Sequence, residues 1–193
     1  GYAVAESADV TGRNNVGLGG PNLRHLTSGN YNIALGSSTG DHITTGSYNI
    51  AIGLNCLDGD GGNITANDNI AIGREALRKN TTGVANIAIG YEALEQTDTG
   101  GNYNAAIGYR AGLNVTTGDY NYLIGTRAGG YTTTATHQIA IGYLSGGGDR
   151  GSTHTGGSSS INIGYKSGSK DISQQNIGIG YASMINMDDA DSY

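Results

Sequence analysis

Short apolar segments separated by polar, glycine-rich stretches recur along the whole chain. Three of them have the sequence Asn-Ile-Ala-Ile-Gly without change, beginning at Asn49, Asn69 and Asn86. In Ile-Ala-Ile the two isoleucines point to one side of an extended backbone and the alanine points to the other, which is the period-two pattern of a β-strand. Each segment therefore predicts one short strand.

This five-residue segment, which we call the anchor, occurs ten times. Variants of it begin at Asn15, Asn32, Asn104, Asn121, Gln138, Ser160 and Asn176. Successive anchor glycines are 17, 17, 20, 17, 18, 17, 17, 22 and 16 residues apart, so the unit is 17 residues and the 20 and 22 steps hold insertions. A repeat of this length predicts an all-β fold, a parallel β-solenoid of about ten coils with almost no helix. At about 4.8 Å per coil, the stack would be roughly 45–50 Å long.

A second segment follows each anchor glycine, as in Gly73–Leu77 and Gly90–Leu94. We predict a second strand-like piece here, closed by a turn in which Thr-Gly pairs such as Thr82-Gly83 supply a positive φ. The anchor asparagines are expected to form a side-chain amide ladder that pairs turn backbone groups. Because one coil is too small to bury its isoleucine pair, we expect isoleucine to stack on isoleucine between coils.

A column of small residues follows from the same repeat. Small side chains fit either a close interface between chains or a narrow coil interior, and the sequence leaves both open. The column comprises Ala34, Ala51, Ala71, Ala88, Ala106 and Ala140.

Composition agrees with a thin, regular core. The 193 residues include 35 Gly and 13 Tyr but neither Phe nor Trp. The repeat domain is expected to span residues 1–183, followed at 184–193 by an acidic tail, or a junction to a further module, that contains Asp188, Asp189 and Asp191.

Charge and hydropathy exclude several classes of function. The net charge is −6 and the 10 Lys and Arg residues are scattered, which argues against nucleic acid as a partner. No apolar run approaches the roughly 18 residues needed to cross a bilayer, so membrane insertion is not expected. The single cysteine, Cys56, takes a slot that alanine fills in other coils and is predicted to be a packed, unreactive residue. No cofactor is expected.

Two columns of tyrosine are the strongest candidates for binding. Tyrosine rings stack on pyranose rings, and neighbouring Asn and Thr side chains bond to sugar hydroxyls, although stacking between coils explains the same columns. Before the anchor asparagine stand Tyr31, Tyr48, Tyr103 and Tyr120. After the anchor glycine stand Tyr91, Tyr109, Tyr143, Tyr165 and Tyr181. The longest insertion adds a second candidate contact with Asp149, Arg150 and His154.

Acidic residues suggest two further sites. Glu75 and Glu92 take the same slot of adjacent coils at the separation of a retaining glycosidase pair, but a solvated charge ladder with Arg110 is the simpler interpretation. Asp58, Asp60 and Asn63 in the 20-residue step are a weak candidate for calcium, because their spacing departs from the EF-hand pattern.

Nothing else in the sequence indicates an enzyme. His25, His42, His137 and His154 share no short spacing, and no Ser-His-Asp constellation is present. We therefore expect no catalytic activity.

The anchors, together with the following Gly-Tyr-x-Ala-Leu and Thr-Thr-Gly, resemble the head repeats of YadA-like trimeric autotransporter adhesins, which also occur in phage tail fibres. The resemblance covers nearly the whole chain and implies a left-handed β-roll and a homotrimer. The unit is longer than the compact adhesin-head repeat, and no coiled-coil stalk pattern occurs in the 193 residues, which favours a phage fibre segment or a fragment of a larger adhesin.

The resemblance implies an attachment role by multivalent adhesion. The expected partners are further copies of the chain and a bacterial cell-surface polysaccharide or protein receptor, and the expected location is a virion tail appendage. The alternatives are a bacterial surface adhesin head, a purely structural extracellular rod or filament, a polysaccharide-degrading tailspike and an ice-binding solenoid.

Overall fold

The computed structural model describes residues 10–97, 100–147, 158–169 and 175–184. In these ranges each anchor forms one strand, as the repeat predicts. Ten strands pair in parallel in chain order to make a single sheet, and the chain winds as a β-solenoid of about nine turns. The strands are β1 Val16–Gly19, β2 Ile33–Ser37, β3 Ile50–Leu54, β4 Ile70–Ile72, β5 Ile87–Ile89, β6 Ala105–Ile107, β7 Tyr122–Ile124, β8 Ile139–Ile141, β9 Ile161–Ile163 and β10 Ile177–Ile179.

The strand register follows the sequence repeat. Ala51 of β3 pairs with Ala71 of β4, and Ala71 pairs with Ala88 of β5, so equivalent residues form columns along the stack. The described residues contain no α-helix, as expected, and their single helical segment is the 3₁₀ turn Gly59–Gly61 in the 20-residue step. Within those ranges no helix is both long and apolar enough to cross a membrane.

The alanine column lies inside the coil. All six of its members are fully buried within a single chain. The interior interpretation of these alanines is therefore correct, and an interface between chains is wrong for this face of the strand. The isoleucines point the other way, and none of the first and third strand residues is buried. They stack in register as expected, but on the outer face of the sheet.

Leucines from the turns fill the interior in place of isoleucine. Leu77 and Leu94 are fully buried against the alanine column. In β7 the alanine slot holds Leu123, and the neighbouring turn slots hold Gly112 and Gly129, where an added Cβ would lie 2.9 and 2.6 Å from Leu123 side-chain atoms. Around β7 the strand therefore carries leucine and the turns carry glycine, whereas at β4 and β5 the strand carries alanine and the turn carries leucine. The volume of the interior is filled in both cases.

The segment after each anchor glycine is a compact turn rather than the second strand that we predicted. Glu92 and Leu94 have φ angles of 53° and 50°, in the left-handed region, and Ala93 lies between them. A backbone that enters the left-handed region at every second residue cannot stay extended. The turns still bond from coil to coil, since Leu77 donates its N–H to the Ala93 carbonyl at 3.0 Å.

The predicted amide ladder runs through the interior. Each ladder residue donates its backbone N–H to the side-chain oxygen of the ladder residue one coil earlier, at 2.8–3.1 Å. The asparagine side-chain amides also donate to a turn carbonyl of the next coil, as Asn86 does to Gly101 at 2.8 Å. These bonds satisfy buried backbone groups that have no strand partner. The residues that donate are Asn32, Asn49, Asn69, Asn86, Asn104, Asn121 and Gln138.

The anchor glycines are required by both backbone conformation and space. Gly90 has a φ of +134°, and a Cβ added there would lie 2.5 Å from the carbonyl oxygen of Gly108 in the next coil. Successive coils can approach to the strand spacing at this corner only because neither residue has a side chain.

We expect Gly90→Ala to destabilise the fold by about 3–5 kcal/mol, because it combines a strained φ with a clash against backbone. The matched control is Gly61→Ala, since Gly61 also has a positive φ of +88° but nothing lies within 4 Å of the added Cβ. Its expected cost is about 1–2 kcal/mol. Urea denaturation of both variants measures the difference, and equal stabilities would contradict the close-approach argument.

Replacing a ladder asparagine removes bonds that nothing else supplies. Asn86→Ala leaves the backbone N–H of Asn104 and the carbonyl of Gly101 without their partner, both in the interior. At about 1–3 kcal/mol for each unpaired group, we expect a loss of about 2–6 kcal/mol. Thermal denaturation against the exposed-site control Asn63→Ala tests this, and a loss below about 1 kcal/mol would contradict it.

Candidate functional site

The tyrosines that follow the anchor glycines form two stacked groups on the surface. Tyr91 stacks on Tyr109 with ring centroids 5.4 Å apart. Tyr143, Tyr165 and Tyr181 form the second group, at 5.2 and 5.1 Å. All five residues retain some exposure to solvent, and Tyr181 at the end of the column is 80 % exposed. The structure therefore brings together the predicted tyrosine column, with one interruption.

The tyrosines that precede the anchor asparagines also stack in two groups. Tyr31 lies on Tyr48 at 5.1 Å. Tyr103 lies on Tyr120 at 5.0 Å, and His137 continues this group at 5.0 Å from Tyr120. Asp68 and Ala85 occupy the intervening slots.

Stacking has a consequence for sugar binding, because a ring with neighbours on both sides has no free face. Tyr165 lies between two rings, so it presents only its edge to solvent. The interruption at Thr126 is different. This exposed residue takes the tyrosine slot between Tyr109 and Tyr143, which leaves one face of each ring without a tyrosine against it.

Cationic side chains lie along the same column. The Arg74 guanidinium is 4.4 Å from the Tyr91 ring centroid and covers the end of the first group. Arg127 lies 6.0 Å from the Tyr109 ring centroid, near the interruption at Thr126. Tyrosine, threonine and arginine thus meet at this surface, which supplies both a stacking face and hydrogen-bond donors.

The carboxylates proposed for catalysis belong to ion pairs. Glu92 accepts a hydrogen bond from Arg110 Nε at 2.5 Å, and Glu75 lies 3.5 Å from Arg74 and 4.0 Å from Arg78. Burial raises the pKa of Glu92, but the hydrogen bonds from Arg110 and Tyr91 outweigh it and hold the pKa below its ordinary value. This geometry is the predicted charge ladder. A carboxyl that stays ionised is poorly suited to act as the general acid of a glycosidase.

The candidate calcium ligands have other partners. Asp60 accepts a hydrogen bond from Arg78 at 2.7 Å, and Asp58 lies 3.5 Å from Nδ1 of His42. Asn63 is exposed on the insertion. The candidates Asp149, Arg150 and His154 lie outside the described residues.

Cys56 is fully buried, and burial raises the pKa of its thiol to about 12. The thiol is therefore protonated at neutral pH, consistent with the packed role that we predicted.

One cluster was missed by the sequence analysis. His25 and His42 are stacked with ring centroids 4.6 Å apart, and Asp41 lies beside them. The signal was present in the spacing, because 17 residues is one repeat and places the two histidines in the same slot of adjacent coils.

The Glu92–Arg110 pair predicts a pH dependence of stability. Because the folded-state pKa of Glu92 is lowered, its contribution is present above the unfolded pKa, near 4.3, and is lost as pH falls through the folded value. We expect Arg110→Gln to cost about 1 kcal/mol at pH 7 and progressively less below about pH 4. Urea denaturation at several pH values, with the exposed Arg13→Gln as control, measures the gap. A gap that stays constant down to pH 2 would contradict this assignment.

Comparisons of the chain with protein-family models, with curated proteins and with solved structures gave no match.

Proposed function

We propose that the chain is a segment of a homotrimeric attachment fibre, most closely comparable to a phage tail fibre, that presents binding surfaces to bacterial cell-surface glycans. The observation that carries this proposal is a continuous apolar face along the whole solenoid. The resemblance of the repeat to trimeric adhesin heads supports it and adds a left-handed winding of the coils.

The apolar face consists of the first and third residues of β1–β10, which we call the outer strand face. Every one of these twenty positions holds Ile, Leu, Val, Ala or Tyr, and none is buried within one chain. Ile107 and Ile124 near its middle are 41 % and 40 % exposed. A continuous apolar surface along ten strands is typical of an interface rather than of a free monomer. Packing three copies side by side along these faces would bury it.

The proposed glycan contact is the interruption in the tyrosine column, which we call the Thr126 slot and which comprises Tyr109, Thr126, Arg127 and Tyr143. Two inter-coil steps separate the tyrosine rings, about 10 Å at the usual strand spacing. A sugar ring stacked on both faces needs about 7–8 Å, from two contacts of about 3.5–4.0 Å each. The Thr126 hydroxyl and the Arg127 guanidinium would bond to its hydroxyl groups. Three copies would repeat the slot and raise avidity.

The main alternative is a structural extracellular rod without a ligand of its own. The stacking of Tyr143, Tyr165 and Tyr181 favours it, because those ring contacts serve the coil stack itself. A bacterial surface adhesin head is the corresponding alternative for the source of the fibre.

The trimer predicts a mass of three times 19.7 kDa for the wild-type chain in light scattering. Ile107→Lys with Ile124→Lys places charges on the outer strand face, where neither side chain is needed to fill the interior. We expect this variant to keep its β-sheet circular dichroism but to lose the trimer mass. The control Asn63→Lys with Thr65→Lys adds the same charge on exposed loop residues and should remain trimeric. A monomeric wild-type chain would contradict the proposal.

The glycan contact is tested by filling the slot. Thr126→Tyr completes the column with the residue that neighbouring coils carry, so the fold should be retained or stabilised while the sugar is excluded. Binding of fluorescent protein to capsule and lipopolysaccharide preparations from a panel of bacterial strains is the measurement. We expect Thr126→Tyr and Tyr143→Ala to reduce binding at least tenfold, with Tyr31→Ala as the control.

The outcomes separate the two functions. Wild-type binding that Thr126→Tyr leaves unchanged would exclude the slot, and a trimer that binds no preparation in the panel would favour the structural rod.

A further inference from the structure

The stacked histidines lie in successive coils near the start of the described solenoid. Their rings are 4.6 Å apart at the centroids and their planes differ by only 7°. One ring nitrogen of each histidine and one carboxylate oxygen of Asp41 lie within 4.8 Å of one another. We call His25, Asp41 and His42 the histidine cluster.

Backbone carbonyls set the tautomer of both rings. Nδ1 of His25 lies 3.0 Å from the Asp41 carbonyl oxygen, and Nδ1 of His42 lies 2.7 Å from the carbonyl oxygen of Asp58. A carbonyl oxygen only accepts hydrogen bonds, so Nδ1 carries the proton in each neutral ring and Nε2 carries the lone pair. A hydrogen bond from the second ring nitrogen to a carbonyl is the usual orientation of a histidine that binds metal through Nε2.

The charges around the rings favour a cation. Asp41 is buried and accepts two hydrogen bonds from Arg24, at 2.8 and 2.5 Å, which fix the carboxylate in place. The Arg24 backbone N–H also donates to this carboxylate. A carboxylate has about four lone-pair positions, so one acceptor position is left for a metal ion. Asp58 adds a second carboxylate 3.5 Å from His42. Two carboxylates and one guanidinium therefore surround the two imidazole rings.

We propose that the histidine cluster binds one divalent transition-metal ion of the Zn²⁺, Ni²⁺ or Cu²⁺ class, through Nε2 of both histidines and a carboxylate oxygen of Asp41. Imidazole nitrogen suits these ions better than it suits Ca²⁺ or Mg²⁺. Metal–ligand distances of about 2.0–2.2 Å draw the three atoms closer than they now lie. The exposed His25 ring has room to tilt for this closure.

The bound ion would act as a staple between two coils. His25 and His42 belong to successive turns of the solenoid, so a metal that joins them adds a link across the stack to the inter-coil hydrogen bonds and the Arg24–Asp41 ion pair. Binding to the folded chain alone would raise its stability by mass action. This inference does not depend on the proposed attachment role.

The test is titration of the full, tag-free 193-residue chain with ZnCl₂ alone, by isothermal calorimetry, with NiCl₂ and CuCl₂ as further probes. We expect one ion per chain and a rise in the thermal midpoint. His25→Ala and His42→Ala should each weaken binding at least tenfold. The matched control is His137→Ala, because His137 stacks on Tyr120 rather than on a second histidine and should leave binding unchanged.

A second measurement uses the wild-type chain and tests the proposal even if the alanine variants fail to fold. In the wild-type chain, the side-chain ¹⁵N resonances of His25 and His42 should shift at Nε2 on addition of ZnCl₂, while those of His137 stay in place. Three results would overturn the proposal: none of the three ions binds to the wild-type chain, binding survives both substitutions, or the resonances of other histidines shift instead.

Discussion

Hydrogen bonding between successive coils in an unchanged register is the constraint on which the rest of the structure depends. A coil of 17 residues pairs few of its backbone groups within itself, so its strand, its turn and its anchor residue each bond to the equivalent segment of a neighbouring coil. The register is kept even across the 20-residue and 22-residue steps, where Ala51 still pairs with Ala71 and Ala140 with Asn162. The extra residues of the 20-residue step therefore lie outside the strands, around the 3₁₀ turn Gly59–Gly61.

Because the register is constant, residues at the same position of the repeat form a column along the stack. Isoleucine at the first and third strand positions becomes the outer strand face, an apolar surface that one chain leaves unburied. Tyrosine after the anchor glycine becomes a stacked ladder, and one threonine in that ladder becomes a slot between two rings. Histidine in two successive coils becomes a stacked pair of rings beside Asp41. The two proposed binding sites therefore lie where the sequence departs from the repeat, at Thr126 and at His42.

Much of the fold was predictable from the anchor alone, because strand, register and amide ladder all follow from a period of 17. Which face of the strand points inward was not predictable, because the alternation of residues shows that there are two faces but not which one is inside. Turn leucines such as Leu77 and Leu94 lie in the interior. Beside them the inward face of the strand has room only for alanine, and the isoleucines lie on the outside. The turn was also mistaken for a strand. Glu92 and Leu94 have left-handed φ angles, but Glu and Leu are not residue types that indicate this conformation in a sequence. The site was predictable only where one residue type recurs in several coils, so the tyrosine column was found and the histidine pair was missed.

Amide hydrogen exchange along the chain tests the central claim, that bonds between coils hold the fold together. Exchange followed by mass spectrometry should show the slowest rates for the anchor segments around Asn69, Asn86, Asn104 and Asn121, with faster exchange toward both ends of the stack. The insertion around Gly61 should exchange within seconds. Central anchor segments that exchange as fast as that insertion would contradict the account.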